Sequence, residues 1–148
     1  MNPPFHDRGR VRASPDDLRA RAHVLEAGGL DAWFRAASAL VRPRGTLTAI
    51  LPADRLADLL AACEGRFGGL SVLALHARPA EAAVRVLVRG VKGSRGPLRL
   101  LPGLVLHDEA GSAFRPGVDA ILRDGASLSD IHPAWSDPAW GEAEPERS

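Results

Sequence analysis

An α/β fold is predicted by three features of the sequence. Apolar residues at helical spacing up to Val41 give way to a continuous apolar run from Thr46 to Leu51, and helical spacing returns after Asp54. Turn-forming residues, Pro43 with Gly45 and then Gly65, stand at the changes. With 148 residues, 45% of them apolar and 25% charged, the chain has material for one globular core.

Residues 1–13 carry Asn2-Pro3 and Pro3-Pro4 and then Arg8, Arg10 and Arg12, which favours an extended or looping start. Ser14 reads as an N-cap, with Pro15 at the first helical position and Asp16 and Asp17 where the helix dipole favours acids. Leu18, Ala22 and Leu25 continue that helix to Gly28-Gly29. Asp31 then caps a second helix, whose stripe Trp33, Ala37, Leu40 and Val41 ends at Arg42-Pro43-Arg44-Gly45. Thr46 to Leu51 lacks alternation, as expected for a strand buried on both faces of a parallel sheet. Asp54 starts a third helix, with Leu56, Leu59, Leu60 and Cys63 on one stripe.

Leu70 to Leu75 is the second strand and Ala83 to Val91 the third. In the third, Val84, Val86 and Val88 share a face opposite Arg85, Leu87 and Arg89, which predicts cover on one side only. The loop from His76 to Glu81 is too short for a parallel crossover, so these strands are expected to be antiparallel neighbours. Short apolar pieces follow at Leu98 to Leu101 and Leu104 to Leu106, and a last short helix at Val118 to Arg123. Residues 127–148 mix prolines, Trp135, Trp140 and acids without a period and are expected to form an irregular or disordered tail after a folded part over 1–126.

The single cysteine, Cys63, excludes an internal disulfide, and no charged start with an apolar h-region marks a secretory signal, so a cytoplasmic location is expected. Apolar runs are far shorter than a bilayer requires, and no membrane span is expected. The formal charge of +1 favours no class of partner. Its distribution is uneven: Arg78, Arg85, Arg89, Lys92, Arg95 and Arg99 are opposed within their stretch by Glu81 alone, whereas the tail after Asp124 is acidic. Polyanion binding and a solvated face account equally well for this charge pattern. The histidines His6, His23, His76, His107 and His132 are dispersed without ligand spacing, so no metal site is expected. Cys63 belongs to an apolar stripe and reads as a packing residue.

Asn2-Pro3-Pro4-Phe5 is the one motif with a mechanism. An exocyclic adenine amine is a poor nucleophile because its lone pair is delocalised into the ring. An Asn side-chain oxygen and the carbonyl of the following proline can accept both amine hydrogens, which favours a pyramidal nitrogen and fixes its direction. The prolines stiffen the turn, and Phe5 offers a face for an extruded base. By themselves the four residues are also compatible with a plain extended turn.

The order that follows, Asp31 to Val41, Pro43-Arg44-Gly45 and Thr46 to Leu51, resembles the helix, turn and fifth strand that follow this motif in class I methyltransferases. Within that class the chain resembles the bacterial family that methylates N6 of an adenine in the anticodon loop of a valine tRNA. The resemblance is carried by Asn2-Pro3-Pro4-Phe5, Trp33 and its helix, Gly45 through Leu51-Pro52, Arg85-Val86-Leu87-Val88 and Leu104-Val105-Leu106-His107-Asp108, with Phe5 where many relatives have Tyr. It implies the C-terminal half of a class I, Rossmann-like sheet, with Asn2, Pro3, Pro4 and Phe5 catalytic, S-adenosyl-L-methionine as donor and RNA, a tRNA first of all, as partner.

The family's donor-binding half, with its Gly-rich turn after the first strand, has no counterpart in the sequence. Gly28-Gly29 and Gly68-Gly69 lack the strand, turn and helix context of such a turn. Weak donor binding and inactivity of the chain alone are therefore expected. So is self-association through an open sheet edge at Thr46 to Leu51, with Leu47, Ile50 and Leu51 losing cover. Arg85, Arg89, Lys92 and Arg95 are the expected RNA contacts. Two other readings stand beside this one: a non-enzymatic RNA-binding or protein-interaction module derived from a methyltransferase, and a longer enzyme in which Met1 is internal.

Overall fold

The computed structural model describes residues 1–2 and 29–136, so the expected helix from Ser14 and the residues Pro3, Pro4 and Phe5 lie outside the described residues. In chain order the elements are α1 (Gly29–Leu40), β1 (Thr46–Pro52), a 3-10 turn (Ala53–Arg55), α2 (Leu56–Cys63), β2 (Phe67–His76), β3 (Ala83–Lys92), β4 (Arg99–Val105), α3 (Pro116–Asp124), the single turn α4 (Leu128–Ile131) and a closing 3-10 turn (Pro133–Trp135). The four strands form one sheet in the order β1-β3-β2-β4.

Strand β3 is antiparallel to both β1 and β2, and β4 is parallel to β2. The short loop before β3 therefore makes a hairpin, as its length requires. It follows that β1, β2 and β4 run the same way and present their carboxyl ends at one edge. Met1 extends this order on the outer side of β1. Its amino group donates to the Thr48 carbonyl at 2.6 Å, and the Ile50 amide donates to the Met1 carbonyl at 3.1 Å. One residue bonding in both directions to partners two apart is the spacing of a parallel ladder.

Helices α1 and α2 cover one face of the sheet. Leu30 and Phe34 of α1 and Leu59, Ala62 and Cys63 of α2 pack on Ala49, Leu51, Val72, Val86 and Val88. Fully burying a Leu or Phe side chain contributes about 1.5–3 kcal/mol, so this layer carries much of the stability. The expected stripe on α1 is rotated: Leu30 and Phe34 face inward, Trp33 and Ala37 are half-buried, and Leu40 is 88% exposed. The helix begins two residues before Asp31, whose carboxylate pairs with Arg35 and lies 2.8 Å from Arg66 in the turn after α2. Asp31 thus ties two helices together instead of capping one. The expected loss of cover on β1 is corrected at Leu51, which is fully buried under the helices, while Leu47 and Ile50 are half-buried.

The opposite face of β3 is covered as well, contrary to expectation. Leu73, Leu75, Leu101 and Trp135 form a second apolar cluster, with Ile50, Leu87, Leu104 and Leu128 packed against it. Val84, expected on the buried face, is half exposed near the strand's beginning. Much of this cover comes from the segment expected to be irregular. Ser127 opens α4 with a capping box, accepting from the Ser129 amide at 3.2 Å while its own amide donates to Asp130 at 3.0 Å. His132 Nε2 donates to the Pro102 carbonyl at 2.7 Å, and Trp135 is 8% exposed. Residues 137–148 lie outside the described residues.

The two expected apolar pieces around residue 102 are one strand, β4, whose register with β2 shifts between Leu73 and Leu75. To lie beside β2, β4 must be reached by a loop that crosses the start of β2. Its path runs directly over Gly68 and Gly69: the Gly69 amide donates to the Gly96 carbonyl at 2.9 Å, and a Cβ on Gly68 would meet the Ser94 carbonyl oxygen at 2.1 Å. A glycine inside a strand marks such a close backbone approach.

Candidate functional site

The carboxyl edge of the sheet gathers Asn2, the end of β1 at Pro52, the end of β2 at His76, the start of β3 and the end of β4 at Val105. In open α/β sheets ligands bind outside these strand ends. Asn2 is exposed, immediately after the residue that pairs with β1. Its placement follows from Met1, which the ladder to Thr48 and Ile50 sets level with Ala49, so that Asn2 follows in the direction of this edge. Of the four residues expected to be catalytic it is the one within the described residues.

The four expected RNA contacts do not converge. Arg85 is exposed at the carboxyl edge, opposite Pro52 and Leu75. Arg89 lies four residues on along the same face, its guanidinium 4.8 Å from the centre of the Trp135 ring. A cation held over an indole contributes about 0.5–2 kcal/mol. Lys92 lies on the helix side, where its ammonium donates to the carbonyls of Ser38 and Val41, the latter at 2.7 Å. It closes the negative end of the α1 dipole. Arg95 belongs to the crossing loop, beyond the far end of β3. Seven steps along the strand lead from Arg85 to Lys92, about 23 Å at roughly 3.3 Å per residue.

Beyond β2 and β4 a small hairpin stands over the edge. The Leu106 and His107 amides donate to the carbonyls of His76 and Ala77, and the Arg115 amide returns to the Leu106 carbonyl. Arg78, counted with the basic stretch, spends its guanidinium on the carbonyls of Asp108, Glu109 and Gly111 at 2.8–3.1 Å. Arg115 pairs with Asp108 at 2.9 Å. Sequence spacing gave no sign of this clamp, since Arg78 and its partners are some thirty residues apart.

The two strand-to-helix connections among the described residues, Ala53–Arg55 after β1 and the hairpin after β4, contain no Gly-rich turn leading directly from strand to helix. A cleft of about 420 Å³ lined by Gly29, Leu30, Asp31, Arg55, Asp58, Ala61 and Ala62 lies between the helices and not between strand ends. Among the described residues, therefore, no strand-to-helix turn offers the Gly-rich cradle that holds a nucleoside in such sheets. Gly68-Gly69 serves chain crossing. Among the described residues no cluster of His, Cys, Asp and Glu could hold a metal ion, and no helix is long and apolar enough to cross a membrane.

Cys63 is buried under the helices, and burial pushes its thiol up to about 12, with Arg66 acting weakly the other way. The thiolate is the reactive form, so the native chain should resist alkylation that goes to completion in denaturant, a difference that mass spectrometry reads. The folded state keeps a proton that the unfolded state releases above its ordinary value of 9.0, so stability should fall as pH rises from 9 towards 12. Chemical denaturation of Cys63→Ala across that range should show the loss of this part of the slope.

No protein-family model matches the chain, and no curated protein matches it significantly. Among solved structures the chain is similar to a predicted O-methyltransferase from Agrobacterium tumefaciens, with 33% sequence identity and a TM-score of 0.65 over 78% of this chain and 61% of that one. The chain spans less than two thirds of that neighbour's length. The four-stranded sheet with its helices thus has a methyltransferase-like fold, in agreement with the expected portion of a Rossmann-like sheet.

Proposed function

We propose that this chain is the C-terminal part of an S-adenosyl-L-methionine-dependent methyltransferase that modifies the N6 amine of an adenine in RNA, first of all a tRNA, with the donor held by residues outside this sequence. One observation carries the reading: the parallel ladder of Met1 on β1 delivers Asn2 to the carboxyl edge of the sheet. At that edge an amide oxygen followed by a prolyl carbonyl suits an acceptor with two hydrogens to give. A hydroxyl acceptor has one hydrogen and needs a base, which Asn2 is not. Phe5, outside the described residues, supplies the ring on which the base stacks. The outer edge of β1 is where the donor-binding half joins the sheet, and the isolated chain self-associates there. Among the four basic residues Arg85 is the one placed at the acceptor edge. The cytoplasm, where tRNA is modified and a lone cysteine stays reduced, is the setting.

The test is Asn2→Ala in an enzyme comprising this chain and its donor-binding half, incubated with tRNA and the donor, with nucleosides identified by mass spectrometry. The parent should yield N6-methyladenosine and the variant about 100-fold less, as expected for loss of an orienting group. A 2′-O-methylated product, or an undiminished yield from the variant, would overturn the reading.

A further inference from the structure

We infer that the hairpin of residues 106–115 carries a nucleobase-stacking platform, His107 with Phe114, for a nucleotide flanking the modified adenine; this rests on the reading that RNA is the substrate. The two rings are stacked, with centres 4.5 Å apart and planes 25° from parallel. An antiparallel bridge joins their backbones, and His107 Nδ1 donates to the Ala113 carbonyl at 2.9 Å, which fixes the imidazole. The loop between them is held from outside by Arg78, through three carbonyls, and by Arg115 on Asp108. Yet Phe114 remains 38% exposed. An aromatic ring kept rigid and partly in water can add a third ring to its stack with little loss of conformational freedom.

Position argues for the same ligand as Asn2. The hairpin stands beyond the carboxyl ends of β2 and β4, at the edge where Met1 delivers Asn2. From Met1 across β1, β3 and β2 to β4 is four strand spacings, about 19 Å at roughly 4.8 Å each. A short unstacked single strand bridges that distance. RNA recognition favours unstacked bases on aromatic faces, the stacking itself being a contact of ring on ring. Charge at the hairpin agrees with this. Arg78 and Arg115 are engaged with the loop itself, and Glu109 is exposed on it, so the base and not the phosphate is the group recognised there.

The experiment uses the full 148-residue chain and a single-stranded oligoribonucleotide carrying 2-aminopurine at successive positions on either side of one adenine. At one position the fluorescence should be quenched on binding. Phe114→Ala and the bulk-preserving Phe114→Leu should both remove the quench and weaken binding roughly 5- to 100-fold, with an unchanged salt slope. Phe114→Trp should restore both, and thermal unfolding verifies that each variant is folded. Equal binding and quenching by Phe114→Leu and the parent would overturn the platform alone. Absence of any binding by the parent would overturn the RNA reading and the platform together.

Discussion

Alanine at Gly68 should destabilise the fold by about 3 kcal/mol or more, lowering the melting temperature by roughly 10 °C. The new methyl would stand 2.1 Å from the Ser94 carbonyl oxygen and 2.8 Å from its carbon. Those are backbone atoms of the loop that carries the chain from β3 to β4, so relief requires moving the loop. Moving it strains the Gly69 to Gly96 hydrogen bond and the pairing of β4 with β2, which bring Leu101 against Leu73. Gly90→Ala is the control. There the nearest atoms are the tip of the Leu70 side chain at 2.6 Å, which can turn, and the Phe67 Cβ at 3.1 Å, which must give by a few tenths of an ångström; no loop backbone has to move. Thermal unfolding followed by circular dichroism should show a much larger drop for Gly68→Ala than for Gly90→Ala. Similar melting temperatures for the two would contradict the crossing argument.

The second large effect is expected at Phe34, which is 2% exposed and meets Phe67 edge-to-face with ring centres 6.3 Å apart. Leu47, Ala49, Cys63, Val88 and Gly90 complete its surroundings and leave no room for a water molecule. Phe34→Ala removes the ring and leaves a dry void, at a cost of about 3–5 kcal/mol. Because Phe34 is the deepest contact of α1, the helix is also expected to loosen from the sheet. Urea denaturation should show the midpoint falling accordingly, and Phe34→Leu should recover a good part of the loss. A shift below about 1 kcal/mol would mean that α1 is held chiefly by its end, through Lys92.

The strands were legible because the signals that define them are local. Thr46 to Leu51 has no alternation, Val86 and Val88 alternate with Leu87, and the loop from His76 is too short for a crossover. Each fixes a strand or a pairing without reference to distant residues. The buried face of α1 is not fixed by spacing alone, because two apolar stripes compete on that helix and the sheet selects Leu30 and Phe34 over Leu40. Ser127 and Asp130 hold a capping signal within a segment whose prolines and tryptophans show no period. Asn2 was legible as chemistry, and its place became clear through the hydrogen bonds of Met1. Charge along the chain says nothing about what lies across the fold, so the separate surroundings of the basic residues could not be read from their stretch. Lys92 faces two carbonyls at the end of α1, Arg89 an indole and Arg78 the carbonyls of a loop; their partners lie roughly thirty to fifty residues away in sequence.

The crossing over Gly68 also imposes an order on assembly. Strand β4 has no place to pair until β2 is laid down, and β2 pairs with β3 through a hairpin whose loop is six residues long. Closing that short loop carries a small entropic cost, whereas joining Met1 to β1 brings together positions 47 residues apart. Contacts of such different separation form on different timescales. The hairpin of β2 and β3 is therefore expected to close early in the growth of the sheet, and the edge that carries Asn2 is completed by one of its most distant closures.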